Sequence, residues 1–253
     1  MHTKASLVEQ IKDLGIQETD LLTVHTSLKS VGEIQTSEGE TAAVTLISAL
    51  RESVKKGLLF IPAHTFSNVR ETPIFDGRRT MPCIGGVPCA AVELANRAYD
   101  CGDKTCVRSM HVSHSVVAFG ENAAAFVEDD KKAVSPVPMS GCYGKLLTQG
   151  GKILFIGTKL SNNTFIHAID EYLQPEGMSA PYEITAIDYE GSTTKRIARN
   201  CQGPSAKYVG YEPYLAQAGA LTYGKIGDAD CIVCDAKKCF DVVVKRRKEI
   251  MGY

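Results

Sequence analysis

Three residues within one short stretch have the types and spacing for acid–base chemistry: His167, Asp170 and Glu171. Ser161, Asn162, Asn163 and Thr164 precede them, all residues that cap helices, and the sequence beyond is helix-compatible. On a helix, Asp170 lies three positions after His167 and Glu171 four, so both carboxylates fall on or near the histidine's face. A histidine oriented by a carboxylate at the end of a strand is a way to build a general base. Either acid could hold the ring. The plain alternative is a surface helix with an ordinary acidic pair.

Other stretches carry reactive residue types. His25-Thr26-Ser27-Leu28-Lys29-Ser30-Val31-Gly32 sets hydroxyls, a lysine and a glycine directly after an apolar run, a turn able to present N–H groups, hydroxyls and a cation to phosphate. It lacks the glycine pattern of a P-loop. In Arg108-Ser109-Met110-His111-Val112-Ser113-His114-Ser115, an extended backbone puts His111, Ser113 and Ser115 on one face and His114 on the other. No carboxylate or cysteine stands at a matching ligand spacing, so no metal is expected. Cys231 and Cys234 form a C-x-x-C with Cys239 nearby, but Ile232 and Val233 between them read as a strand, which sends the two thiols to opposite faces as buried small hydrophobes. The stretch from His64 to Pro82, with Phe75, Asp76, Arg78 and Arg79, could wall or cover a substrate.

The elements that position these residues follow from periodicity. The apolar run from Lys152 to Thr158 is a buried strand leading into the His167 helix. Residues 3–14 form an amphipathic helix, Leu21–His25 and Leu58–Pro62 are strands, and helices run from about Glu38 to Val54 and from Gly85 to about Tyr99. Strands at Thr105–Arg108 and His114–Phe119 follow, then a short helix from Glu121 to Val127 and a Pro/Ser/Gly-rich segment over 133–145. Residues 68–84 read as a long loop, and 182–199 as a β-hairpin turning at Glu190-Gly191. A helix near Glu212–Ala218, a strand near Cys231–Cys234 and a helix over Ala236–Ile250 finish the chain. Strands alternating with helices indicate α/β architecture with the site at the sheet ends, and the hairpin argues against an all-parallel sheet.

Bulk properties bound the function. A single domain spanning 1–253 can bury a full core. Twenty-eight basic residues against 29 acidic ones remove the electrostatic case for nucleic acid. The cluster Lys245-Arg246-Arg247-Lys248 reads as a solvated helix face. No apolar run is long enough for a membrane span and no signal peptide is visible. Nine cysteines, an odd number spread along the chain, fit free thiols in a reducing compartment, so a cytoplasmic location is expected.

Taken in order, these segments resemble the aminoglycoside 3-N-acetyltransferase family over most of the chain. His25-Thr26-Ser27-Leu28 through Gly32 is similar to its H-[ST]-S-L-x-x-x-G, and Phe60-Ile61-Pro62-Ala63-His64-Thr65 to its strand–Pro–loop. Residues Arg108 to Gly120 resemble R-S-x-H-P-x-x-S-x-x-A-x-G. Tyr143-Gly144-Lys145-Leu146 matches Y-G-K-L, Asn163-Thr164-Phe165-Ile166-His167 matches N-T-x-x-H, and Lys225 to Ala229 looks like the V-G-x-A element. The resemblance implies a mixed central sheet flanked by helices, distinct from the common acetyltransferase fold. It also implies acetyl-CoA as cosubstrate and direct acetyl transfer to an amine. His167 is then the base, Asp170 or Glu171 its orienter, and His111 and Ser115 further catalytic groups. His25, Thr26, Ser27, Leu28, Lys29, Ser109, Tyr143 and Lys145 fall on the cofactor side.

The departures are specific. Val112 stands where the family has proline, Gly141-Cys142 where it often has Ser-Pro, and Asp170 where it usually has glutamate. The loop from His64 to Pro82 carries Arg70, Arg78 and Arg79 against Glu71 and Asp76, a poor lining for a polycationic aminoglycoside, which leaves another small amine as acceptor. A CoA-binding protein without catalysis is the alternative from another class. Assembly into a homo-oligomer is left open.

Overall fold

A computed structural model describes residues 1–201 and 203–252. Its elements, in chain order, are α1 (Lys4–Asp13), β1 (Leu21–Thr26), α2 (Ala42–Ser53), β2 (Leu58–Pro62), α3 (Phe66–Glu71), β3 (Ile74–Asp76), α4 (Gly86–Asp100), β4 (Cys106–Arg108), β5 (Val116–Phe119) and α5 (Ala123–Val127). They continue with α6 (Cys142–Thr148), β6 (Lys152–Ile156), α7 (Thr164–Leu173), β7 (Tyr182–Ile187), β8 (Thr193–Ala198), α8 (Glu212–Gln217), β9 (Leu221–Ile226), β10 (Ala229–Asp235) and α9 (Ala236–Met251).

Seven strands form the central sheet in the order β4-β5-β2-β1-β6-β10-β9. The middle three are parallel, with β1 pairing β2 on one side and β6 on the other. Both flanks are antiparallel. The mixed sheet flanked by helices is therefore as expected. The period-2 rule explains its two cores: along β6, Leu154 and Ile156 enter one apolar cluster, Ile153 and Phe155 the other. On the first face, Leu7 and Ile11 of α1, Leu46 and Leu50 of α2, and Ala91 and Ala95 of α4 cover the sheet. On the second lie Phe126 of α5, Leu146 of α6, Phe165 and Ile169 of α7, and Val243 of α9. Truncating a fully buried leucine such as Leu46 to alanine costs about 2–5 kcal/mol.

The expected hairpin exists, as β7 and β8, but it is not a free insertion. β3, drawn from the stretch expected to be loop, pairs parallel with β7 and makes a second, three-stranded sheet. Val69, Phe75, Val112, Ile184, Ala186 and Ala198 pack into its own small core. Part of that stretch is also helical, as α3. No helix among the described residues is long and apolar enough to cross a membrane.

The three parallel strands all end on one side of the sheet. Because β1 connects outward to β2 while its other neighbour is β6, the chain changes winding direction there, and a crevice opens at such strand ends. Gly157 lets β6 turn beside β1: its φ is +61°, and a Cβ there would stand 2.3 Å from Ser30 Cβ.

Candidate active site

The crevice holds a cavity of about 450 Å³. Four of its lining residues are histidines delivered by four separate segments: His25 from the end of β1, His64 from the loop after β2, His114 from the turn before β5, and His167 from α7. His64 and His114 lie with ring centroids 4.7 Å apart, and His25 stacks on Phe155, its register partner on β6, at 5.3 Å. Burial holds all four imidazoles neutral. It lowers His25 and His167 to about 4 and His64 to about 3, and takes His114 well below its ordinary value. Mutual repulsion among the rings acts in the same direction on His25, His64 and His114.

α7 is built to hold its histidine still. Asn163, fully buried, caps the helix by accepting the Phe165 N–H at 3.1 Å. Phe165, Ile166 and Ile169 anchor the helix in the core. From the other side, Tyr208 Oη lies 2.8 Å from His167 Nδ1 and 3.0 Å from Asp170 Oδ2. Arg247 Nε donates to Asp170 Oδ1 at 2.7 Å, and its Nη2 donates to Gln174 Oε1 at 2.8 Å.

The chemistry of these groups fixes the proton positions. An ionised Asp170 paired to Arg247 can only accept, so Tyr208 donates to it. Tyr208 then accepts Nδ1–H from His167, which leaves Nε2 as the basic nitrogen, without a protein partner among the described residues. Asp170 also pulls the His167 value upward, against the larger effect of burial.

Glu171 is not part of this chain of bonds. Its carboxylate accepts the Val137 N–H at 3.2 Å, and burial raises it to about 7. It lines an adjoining cavity of about 230 Å³, together with Asp170, Arg247 and Cys201. Of the two acids left open by sequence spacing, Asp170 is the one joined to His167 here, through Tyr208.

The remaining expectations divide. His25 and Thr26 line the main cavity. Ser27 faces Ser30, with hydroxyls 2.9 Å apart, Leu28 packs against the first core, and Lys29 is exposed on the 3-10 turn Leu28–Val31. His111, expected to be catalytic, has both ring nitrogens bonded to backbone. Its Nδ1 accepts the N–H groups of Ser113 and His114 at 3.2 and 2.9 Å, and its Nε2 donates to Ser135 O at 2.9 Å, so no lone pair is left for substrate. Ser115 is fully buried, donating to Ala63 O at 2.7 Å while accepting from Arg108, and Ser109 accepts the Val116 N–H. These groups shape the turn that presents His114.

Tyr143 and Lys145, expected on the cofactor side, do not line the main cavity. Tyr143 is a core residue, edge-on to Phe60 at 5.5 Å. Lys145 binds Phe126 O at 2.8 Å and Asp129 at 2.7 Å, at the opposite end of the sheet, where β1 and β2 begin. Gly144 between them is needed for packing, since a Cβ would meet Met139 O at 1.7 Å. The Y-G-K-L motif here secures α6 against its neighbours.

The cysteine motif behaves as strand geometry dictates: Cys231 joins one core and Cys234 the other. Among the described residues, no group of three or more His, Cys, Asp or Glu is arranged to hold a metal ion.

Comparison with known proteins bears on the family and the fold. A family model described as aminoglycoside 3-N-acetyltransferase matches residues 23–248. An aminoglycoside N(3)-acetyltransferase III from Acinetobacter baumannii is 25% identical, over 94% of this chain and 88% of its own. The crystal structure of aminoglycoside acetyltransferase AAC(3)-IIb superposes with a TM-score of 0.79 at 23% identity, covering 100% of this chain and 98% of that one. A binary structure of AAC-IIIb with CoASH superposes with a TM-score of 0.77 at 22% identity, covering 97% of each chain.

Proposed function

The chain belongs to the aminoglycoside 3-N-acetyltransferase family and is an acyltransferase, and from that premise we propose that it moves the acetyl group of acetyl-CoA directly onto an amine of an aminoglycoside or a related small molecule, with His167 as general base. The observation that carries the assignment of the base is the Arg247–Asp170–Tyr208–His167 series of contacts, ending in a free Nε2 beside the cavity.

In this reading the thioester arm enters over the end of β1. Thr26 and the turn after it flank that entry, and Lys29 stands exposed where a phosphate could be met. The neutral imidazoles of His25, His64 and His114 provide a wall that can donate or accept without burying charge. Buried Nε2 atoms of His25 and His64 have no partner among the described residues, which fits a site completed by a ligand's polar atoms.

The amine nitrogen attacks the thioester carbonyl carbon. His167 Nε2 takes the proton that the nitrogen sheds as the new C–N bond forms. The C–S bond then breaks, and the sulfur leaves with the electron pair and regains a proton. The cationic ring that His167 becomes is balanced through Tyr208 by Asp170. Base catalysis of this type contributes roughly 10²–10⁴-fold, and alignment of the two reactants contributes much of the remainder.

The test is release of CoA thiol from acetyl-CoA in the presence of a panel of amines, with wild type and His167→Ala. The reading expects amine-dependent release by wild type, loss of about 10²-fold or more in the variant, and retained acetyl-CoA binding. A fully active His167→Ala removes the base assignment. A protein that neither binds acetyl-CoA nor releases thiol removes acetyl transfer.

A further inference from the structure

The charge around the cavity bears on the acceptor. Of its lining residues, none is an aspartate or glutamate, and one is a cation, Arg70 of α3. Arg70 is exposed and makes no hydrogen bond or ion pair among the described residues. Two carboxylates line the adjoining cavity: Asp170 is committed to Arg247 at 2.7 Å, and Glu171 is the other. Burial raises Glu171 to about 7, so near neutrality it carries only part of a charge.

A polycationic sugar entering this site would lose hydration from several ammonium groups, meet at most one uncommitted carboxylate among the residues lining the two cavities, and face a guanidinium at the rim. Unpaired buried charge is strongly unfavourable. Size acts in the same direction. A cavity of about 450 Å³ falls in the lower part of the ~300–1,000 Å³ range of sites that hold one drug-sized ligand. Here the same space must also admit the thioester arm.

Resting on the acetyl-transfer reading above, we propose that the natural acceptor is a small primary amine carrying an anionic group, carboxylate or phosphate, which Arg70 binds, rather than a polycationic aminoglycoside. Arginine suits this role because its planar fork of N–H donors matches both oxyanions. With Arg70 on the anion, the amine at the other end of a small molecule is left to reach His167 deeper in the same cavity. Arg70 is thus a specificity residue and takes no part in proton transfer.

The experiment measures acetyl-CoA thiol release with matched acceptors that share one amine: glucosamine, glucosamine 6-phosphate and glucosaminic acid, beside the aminoglycoside sisomicin. The expected result is a kcat/KM for one or both anionic amines about ten-fold or more above glucosamine and above sisomicin, the value of one charge-assisted contact. Which of the two leads decides between phosphate and carboxylate. In Arg70→Ala that preference should collapse through the acceptor KM, with kcat and the acetyl-CoA KM little changed. The proposal is overturned if sisomicin is the best acceptor, if glucosamine equals its anionic counterparts, or if Arg70→Ala raises the acetyl-CoA KM instead. Transfer to sisomicin alone would overturn it while leaving acetyl transfer standing. No thiol release with any acceptor would remove both.

Discussion

Tyr208 and His167 meet at 2.8 Å, oxygen to Nδ1, although forty-one positions separate them. The contact decides which ring nitrogen is basic and ties the histidine to Asp170 without a direct bond between them. Tyr208→Phe keeps the ring and its packing but deletes that link. The variant should lose about ten-fold or more in kcat, with a smaller change in KM and little change in Tm. A wild-type kcat in Tyr208→Phe would show that the phenol has no part in orienting the base.

Asp170 and Glu171, adjacent in sequence, should behave differently. Asp170→Asn removes the charge that balances a cationic His167 and leaves Arg247 facing a neutral amide, so activity should fall by about 10²-fold and stability should fall as well. Glu171→Gln should leave kcat within about three-fold, since its recorded contact is a neutral backbone N–H. Steady-state rates and melting curves on both variants check the contrast, and the reverse order would reassign the orienting acid.

Stability should depend on pH through the histidine cluster. The ordinary histidine value is 6.5, whereas in the fold His25 and His167 lie at about 4 and His64 at about 3. Between those limits the unfolded chain binds protons that the folded chain refuses. Folding is therefore fully supported above pH 6.5, weakens as pH falls through the window, and stops losing ground from these groups below about 3. Urea melts from pH 7 to 4 should show a steady loss, and His64→Gln should make that slope shallower. A flat profile would mean the rings are hydrated in solution.

Two lysines that the motifs place together should separate. Lys145→Ala should lower Tm by a few degrees, because Lys145 binds the carbonyl of Phe126 and the carboxylate of Asp129, and should leave the acetyl-CoA KM unchanged. Lys29→Ala should raise that KM by about ten-fold at low salt, where an exposed cation acts most strongly on phosphate, with the effect fading as salt is added. Equal effects of the two on KM would return Lys145 to the cofactor side.

What could be read from sequence was local. The caps before α7, the apolar run of β6 and the spacing of His167 and Asp170 are all contained in one continuous stretch. Tyr208 and Arg247 were not readable, because they arrive from forty-one and seventy-seven residues away. The run Lys245 to Lys248 looks like a solvated face, and only docking of α9 turns Arg247 inward. The segment from Arg108 to Ser115 differs in the opposite way. It has the residue types of a reaction centre, but His111 is bonded to backbone on both ring nitrogens, Ser115 and Ser109 are tied up within the fold, and of its residues only His114 lines the main cavity. β9 escaped notice since four of its six positions are exposed, leaving no apolar alternation to see. β3 is only three residues long.

The ion pair between Arg247 and Asp170 also sets a time order for assembly. Synthesis delivers His25, His64, His114 and His167 to solution well before the arginine that holds the acid in place. A nascent chain that has already gathered its four rings still lacks the counter-charge at the far end. Under the proposed mechanism, the base therefore gains its orienting acid only once α9 has emerged and docked.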